Sequence, residues 1–349
     1  MKRKQELNYM NAIACLCVIL IHVLSLGIGQ AERTSWQAAV IYFPWRLVAY
    51  VVPMFLYTGA LKLAQQFEGK TITLEGYIRY CLKRVKKIYL PYVLWVGIYY
   101  LSFLGINYVR GEWKEFFDYL WIGNLSSPFY YIVIVMQFYF LMPLWVWMLR
   151  RVPVWLGMTL STLVTLCMQQ FPYVLSLAGI EFAYTDRIFP TYLVFWAAGL
   201  YAGKYYEKTK EAVQNRTGQV ICTVVVLGYL ILSYLQHARG LSLFNLNEVK
   251  IAADLMTIAL LHGLCLRLTG AGGRLRNGLQ KIYESSFFVY LSHCVFLTVG
   301  TAVLQGAGMV QLLPLLVCRL VICYTVPFAL YFIYNRTLNR IRPLSGILG

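Results

Sequence analysis

Cys15-Leu16-Cys17-Val18-Ile19-Leu20-Ile21-His22-Val23 lies inside an apolar run from Leu7 to Gly27, and no Asp, Glu, Lys or Arg interrupts the chain between Glu6 and Glu32. About 20 such residues are what a helix needs to cross the hydrocarbon of a bilayer. The basic start, Lys2 to Lys4, followed by an apolar run also fits a secretory signal. Gly27-Ile28-Gly29-Gln30 is a poor small-residue cleavage site, however, so the stretch is read as a first membrane span.

The rest of the chain repeats this pattern. Of 349 residues 60% are apolar and 13% charged, with a mean hydropathy of +0.61. Soluble domains run at about half apolar and about a quarter charged, so an ordinary soluble enzyme is excluded. Apolar stretches occur at 7–27, 38–61, 88–106, 129–149, 153–170, 189–203, 218–236, 251–268, 286–304 and 312–334. The expectation is an all-α, polytopic bundle of about ten transmembrane helices forming a single domain over 1–349.

Lys and Arg number 31 against 14 Asp and Glu. With ten spans, 23 of the bases fall on one side of the membrane and 6 on the other, while Arg46 and Arg319 lie within spans. Cytoplasmic loops carry such an excess, so both termini are expected in the cytoplasm and the protein in the cell membrane. Topology and anionic membrane lipid account for the formal charge of +17, and no nucleic-acid partner is required. The nine cysteines lie mostly in apolar runs, with no CxxC pair and no histidine at zinc spacing; they read as small apolar residues, and no metal is expected.

Ionisable groups inside spans are costly and mark cavities or partners. His22 is one such group. His293 is another, in Ser286-Phe287-Phe288-Val289-Tyr290-Leu291-Ser292-His293, where Ser286, Tyr290 and His293 share one helical stripe. A histidine bonded to a neighbouring carbonyl, and serines and tyrosines bonded within a packed bundle, would give the same pattern without function. Ahead of the 88–106 span, Lys83, Arg84 and Lys87 share a face by helical spacing. They read either as a lipid-headgroup anchor or as a phosphate site at the membrane surface. Arg46 and Asp254 read as an ion pair at the outer mouth, or Arg46 as a contact for an anionic acceptor.

Taken together, these segments resemble the membrane-bound acyltransferase family 3. The resemblance runs along the chain: aliphatics followed by His at Val18 to His22; Pro53-Met54-Phe55-Leu56-Tyr57-Thr58-Gly59; Arg84-Val85-Lys86-Lys87-Ile88-Tyr89-Leu90-Pro91-Tyr92; Gln137-Phe138-Tyr139-Phe140-Leu141-Met142-Pro143; Phe195-Trp196-Ala197-Ala198-Gly199; and Ser286 to His293. It implies O-acyl transfer, often O-acetyl, to extracytoplasmic sugars and envelope polymers, although some members are assigned to polysaccharide export or assembly. Two positions depart from the pattern. Asn11 stands where the family often has Arg or Lys, and Lys87 where Arg is frequent.

The expected function is transfer of an acyl group, in the first place acetyl, from cytoplasmic acetyl-CoA or another acyl-CoA to a hydroxyl of an envelope glycan or lipid-linked sugar. His22 would act as general base or acyl relay, with His293 and Tyr290 assisting. Arg84, Lys87 and Lys83 would hold the donor's phosphates, and Arg46, Ser286 and Arg319 would contact the acceptor. A continuous polar cavity from Arg84 and Lys87 past Ser286, Tyr290 and His293 to His22 is expected. The rival reading is a transporter or flippase for a lipid-linked sugar, which would need alternating access.

Overall fold

The computed structural model describes residues 4–240, 246–337 and 347–349. Lys2, Arg3, Arg340 and Arg342, counted above among the bases of one side, lie outside them. The described residues form helices and no strand, as a chain in lipid requires when each backbone amide must be paired within its own segment. In chain order the helices are α1 (Gln5–Gln30), α2 (Trp36–Leu47), α3 (Val51–Gln66), α4 (Leu74–Arg84), α5 (Leu90–Leu104), α6 (Trp113–Ile122), α7 (Tyr130–Phe140), α8 (Met142–Arg151), α9 (Val154–Leu177), α10 (Leu193–Lys204), α11 (Tyr206–Gln214), α12 (Arg216–Arg239), α13 (Leu246–Leu268), α14 (Gly273–Gly306) and α15 (Leu312–Arg336). Polar side chains set several starts. Ser35, Thr73 and Asn215 accept from the free amides of Ala38, Gly76 and Gly218 at the heads of α2, α4 and α12.

All ten apolar stretches are helical, but not all are full spans. Eight described stretches are long and apolar enough to cross a membrane: α1, α2 with α3, α4 with α5, α9, α12, α13, α14 and α15. A pair bent by 53°, Trp113–Ile122 with Ser127–Phe140, would make nine. The stretch expected over 129–149 is broken at Leu141, one residue before the Met142-Pro143 start of α8, since proline fits the first turn of a helix and not its interior. The stretch expected over 189–203 opens with a 3₁₀ turn, leaving the 12 residues of α10, about 18 Å long.

A helix that short survives because protein encloses it. Nearly every residue of α10 is buried, and its main partner is α3. Gly199 and Gly203, one turn apart, let the backbones meet: a Cβ on Gly199 would collide with the Tyr57 carbonyl, and one on Gly203 would lie 2.7 Å from the Leu61 carbonyl. Small residues at this spacing are a recurrent way of bringing membrane helices together. The α3–α10 seam carries Pro53 and Phe55 on one side and Phe195 on the other, and these three reach the cavities described below.

One end of the bundle is basic. The Lys4 ammonium stands 2.9 Å over the Tyr206 ring, Lys204 donates to the Leu149 carbonyl at 2.5 Å, and Arg150 donates to the Lys70 carbonyl. These contacts gather the start of α1, the ends of α8 and α10 and the loop after α3. Burial lowers the pKa of Lys4, against the pull of Glu6. At the opposite end Trp45 donates to Ser25 at 2.8 Å and Tyr42 to the Ser233 carbonyl at 2.9 Å, tying α2 to α1 and α12.

Candidate active site

The site forms where α1 packs against α14. His22 lies 17 residues into α1, about 26 Å from the basic end at helical rise. Its ring centroid is 5.3 Å from that of His293 on α14. The two imidazoles differ in environment. His293 is sealed, and its Nδ1 lies 3.0 Å from the Val289 carbonyl and 2.9 Å from that of Tyr290. Both partners are acceptors, so Nδ1 carries the proton, and Nε2 is left with a lone pair and no partner. His22 is half-buried, has no hydrogen bond from the described residues, and lines a cavity of about 370 Å³. One imidazole is thus fixed with a free acceptor nitrogen, and the other is open to whatever fills the cavity.

This outer cavity, towards the end opposite the basic one, is walled by Ser25 and Trp45 near α1, by Gln169 on α9, by Tyr192, and by Lys250 and Asp254 on α13. A second cavity, of about 350 Å³, lies towards the basic end between Asn11, Phe55, Tyr131, Tyr139, Glu284 and Ser286. Both have the size of small-ligand pockets. Tyr290 lines both. Its hydroxyl donates to the Pro128 carbonyl, and its ring packs edge-on to Phe55 at 6.0 Å and Tyr131 at 5.7 Å. In place of the expected continuous cavity there are two, with Tyr290 in the wall of each and its hydroxyl bonded to the carbonyl of Pro128, a residue of the outer one.

Comparison with known proteins places this architecture. Residues 4–334 match a family described as an acyltransferase domain. The chain belongs to that family. Among curated proteins it is 24% identical over 307 residues to the "Probable poly-beta-1,6-N-acetyl-D-glucosamine export protein" of Staphylococcus aureus (strain MRSA252), covering 85% of this chain and 83% of that protein. It is 21% identical over 345 residues to the "Putative membrane-bound acyltransferase YfiQ" of Bacillus subtilis (strain 168), covering 95% of this chain and 91% of that one. The protein of the first name in Staphylococcus epidermidis is 23% identical over 310 residues, 85% of this chain and 82% of that protein. No solved structure matches.

In this acyltransferase-family protein the expected site residues separate into two groups. His22, His293, Tyr290 and Ser286 converge, although Ser286 turns its hydroxyl back to the Tyr283 carbonyl at 2.7 Å. Of the three bases Lys83, Arg84 and Lys87, only Arg84 turns inward. Its guanidinium lies 4.3 Å from the centroid of the Tyr139 ring, which lines the inner cavity, and 4.9 Å from that of Tyr80. Lys83 and Lys87 are exposed. The reason is a π turn over Val85–Tyr89. Its wider loop sweeps less rotation per residue than an α-helix, so Lys87 does not return to the face of Arg84, while Lys83, ahead of the turn, is one residue and about 100° from Arg84 on α4; such turns recur at functional sites.

Two further expectations are corrected. Arg46 and Asp254 do not form a direct ion pair: Asp254 is bonded to Lys250 at 2.5 Å, one turn away on its own helix, while Arg46 lies 5.2 Å over the Tyr229 ring. Arg319 is buried between α15 and α14, where its Nε donates to Thr301 Oγ1 at 3.0 Å, and it lines neither cavity. Asn11 accepts from Thr58 Oγ1 at 2.7 Å and puts a neutral amide on the wall of the inner cavity.

Sequence reasoning missed other groups. Gln169 Oε1 is sealed from solvent without a partner on the outer wall. His262 is fully buried, with Nδ1 3.1 Å from the Tyr57 hydroxyl. Cys294 joins His22 and His293 to give three possible ligand atoms within 4.8 Å of one another. Two imidazoles and a thiol suit a soft divalent cation. No spacing in the sequence signalled that set, because His22 and Cys294 stand on helices at opposite ends of the chain.

Proposed function

We propose that this protein transfers an acyl group, acetyl from cytoplasmic acetyl-CoA in the first place, to a hydroxyl of an extracytoplasmic envelope glycan or lipid-linked sugar, at the cell membrane. The observation that carries the reading is the pair of cavities, one towards each end of the bundle, that meet at Tyr290 beside His22 and His293. With the basic end in the cytoplasm, a thioester enters the inner cavity while its phosphates stay near Arg84, whose planar fork suits them. The acceptor enters the outer cavity. His22 takes the proton of the acceptor hydroxyl, the oxygen attacks the thioester carbonyl, the C–S bond breaks, and the proton leaves with the coenzyme thiolate to give ester and free thiol. His293, its Nδ1 fixed by two carbonyls, keeps the Nε2 lone pair beside His22 to share that proton. The thioester reaches the hydroxyl when the Tyr290 ring swings aside.

The test is reconstitution. Purified protein in proteoliposomes, given radiolabelled acetyl-CoA on one face and an acceptor glycan on the other, is expected to label the glycan in wild type and not in His22→Ala. An engineered cysteine at Glu112 is expected to react only with a reagent applied from the outside; reaction only from the cytoplasmic side overturns the orientation. A second reading, glycan export, is favoured by the names of the staphylococcal relatives. It predicts glycan movement across the membrane that needs no acyl-CoA and survives His22→Ala.

A further inference from the structure

Cys294 stands beside the two imidazoles and has no part in proton transfer. A ring nitrogen of His22, one of His293 and the Cys294 sulfur lie within 4.8 Å of one another, the one group of three such ligands among the described residues. The two members on α14 are fixed in place, His293 fully buried and Cys294 5% exposed. His293 Nδ1 is committed to the Val289 and Tyr290 carbonyls, so Nε2, buried and without a partner, is the nitrogen it offers a cation. Metal-ligating histidines are held in this way, with the other ring N–H on a carbonyl or carboxylate. Neither His293 nor Cys294 lines the outer cavity, whereas His22 does. His22 makes no hydrogen bond to the described residues, so its ring turns between the cavity and the pair beneath it without breaking a polar contact.

We propose that His22, His293 and Cys294 form a site for a soft divalent cation of the Zn²⁺ type, which enters from the outer cavity and stops acyl transfer while it is bound. Two imidazoles and a thiolate are a zinc-type donor set, and three protein ligands leave the fourth tetrahedral position open for water. Bonds of about 2.0–2.1 Å to nitrogen and about 2.3 Å to sulfur set tetrahedral ligand atoms about 3.3–3.6 Å apart, so the three must draw together. His22, the unrestrained member, supplies that movement: it meets the cation in the cavity and carries it inward as the ring turns. On binding, the Cys294 S–H bond breaks, a metal–sulfur bond forms, and the proton passes to water in the outer cavity. The His22 lone pair is then in a bond to the cation and cannot take the proton of a hydroxyl. The inhibition rests on His22 acting as the base, as proposed above; the site itself does not.

The experiment reads binding first, without acyl donor or acceptor. Detergent-solubilised full-length protein is titrated with Co²⁺, which occupies tetrahedral zinc sites and absorbs light by thiolate-to-metal charge transfer. Wild type is expected to develop this absorption at a single equivalent and to lose it when Zn²⁺ is added. Cys294→Ser should abolish the absorption, and His22→Ala should weaken Co²⁺ binding at least about tenfold, since even the outer partners of a metal ligand are worth about that much. In proteoliposomes, Zn²⁺ applied on the side of the outer cavity should stop transfer by wild type, and a chelator should restore it. Cys294→Ser should transfer at the wild-type rate and need at least about tenfold more Zn²⁺ for the same inhibition; Cys294→Ala takes its place if the serine variant does not fold. No such absorption in wild type, or its persistence in Cys294→Ser, overturns the site. So does its loss in Cys17→Ser, whose thiol lies 3.4 Å from the Tyr50 hydroxyl and outside the set. Co²⁺ bound through Cys294 with transfer indifferent to Zn²⁺ overturns the inhibition. Absence of any transfer by wild type overturns the acyltransfer reading instead, and the absorption still decides the site.

Discussion

The two cavities are nearly equal in volume, about 370 and 350 Å³, and unlike in chemistry. The outer one has an imidazole free of hydrogen bonds, an ion pair and an unpartnered carboxamide on its wall. The inner one is walled by Phe55, Tyr131 and Tyr139, with Arg84 stacked behind Tyr139 and single polar groups at Asn11, Ser286 and Glu284. Under the proposed function, one wall would exchange protons and hydrogen bonds and the other would guide the thioester past rings, with the Arg84 guanidinium stacked on Tyr139 near by. The asymmetry is what transfer between unlike partners requires. An exporter that moves one substrate through both cavities would gain from walls of similar chemistry.

Removing the acid–base group of the outer cavity gives the largest expected effect. His22→Ala should lower acyl transfer in proteoliposomes by about 10²- to 10⁴-fold, the usual contribution of a positioned general base. The thermal transition of the purified protein should stay close to wild type, since the imidazole makes no hydrogen bond that the fold depends on. Near-normal transfer by this variant would break the comparison, because the outer cavity would then hold no chemistry the inner one lacks.

The two cavities share a support, the α3–α10 seam. Gly199→Val would drive a branched side chain into the Tyr57 carbonyl and Ala60, at an expected cost of about 1–3 kcal/mol from overpacking. A lower melting temperature should come with loss of both donor and acceptor binding. On α12, where a Cβ on Gly228 meets nothing within 4 Å, Gly228→Ala should leave stability within about 1 kcal/mol of wild type. Equal effects at the two glycines would show that the seam is not what holds the cavities.

At the inner entrance the contrast lies within one basic run. Arg84→Gln should weaken acetyl-CoA binding by about ten- to a hundredfold, the worth of a charge-assisted hydrogen bond in a half-buried site. Lys87→Gln, on an exposed side chain, should change it by less than about threefold, as an exposed ionic contact does. Isotope-labelled donor binding to the purified protein checks both. Matching losses would mean that the π turn does not separate the two residues as described.

That contrast also shows where sequence reasoning ends. Hydropathy located the long apolar helices, because the bilayer sets length and composition for each span independently, but it passed over α6, whose Lys114, Glu115 and Asp118 interrupt its apolar residues. His22 and His293 were legible for a related reason: an imidazole among aliphatics is costly wherever it stands. Their meeting was not, since α1 and α14 come together only in the folded bundle. The π turn was invisible because one turn's worth of hydrogen-bond slippage leaves no mark on composition. Asp254 read as a partner for Arg46 and Lys250 as one of the few bases of the outer side, and only the folded bundle pairs the two with each other on the wall of the cavity that His22 also lines. Arg319 read as functional by the same cost argument; it lies away from both cavities, with its Nε bonded to Thr301 on the neighbouring helix and its Nη1 buried without a partner.

The smallest expected effect concerns the side chain between the cavities. Tyr290→Phe keeps the ring against Phe55 and Tyr131 and removes only the bond to the Pro128 carbonyl. One neutral hydrogen bond contributes about 0.5–1.5 kcal/mol, equivalent to roughly two- to tenfold in the fraction of time the ring stands aside. If that bond holds the barrier shut, the variant should hydrolyse acetyl-CoA faster without acceptor by that factor, as thioester and water meet more often, while transfer to acceptor changes little. If the Tyr290 hydroxyl takes part in the chemistry, hydrolysis and transfer should fall together. Should both stay at the wild-type value, Tyr290 would be neither barrier nor participant, and the inner and outer cavities would have to communicate by another route.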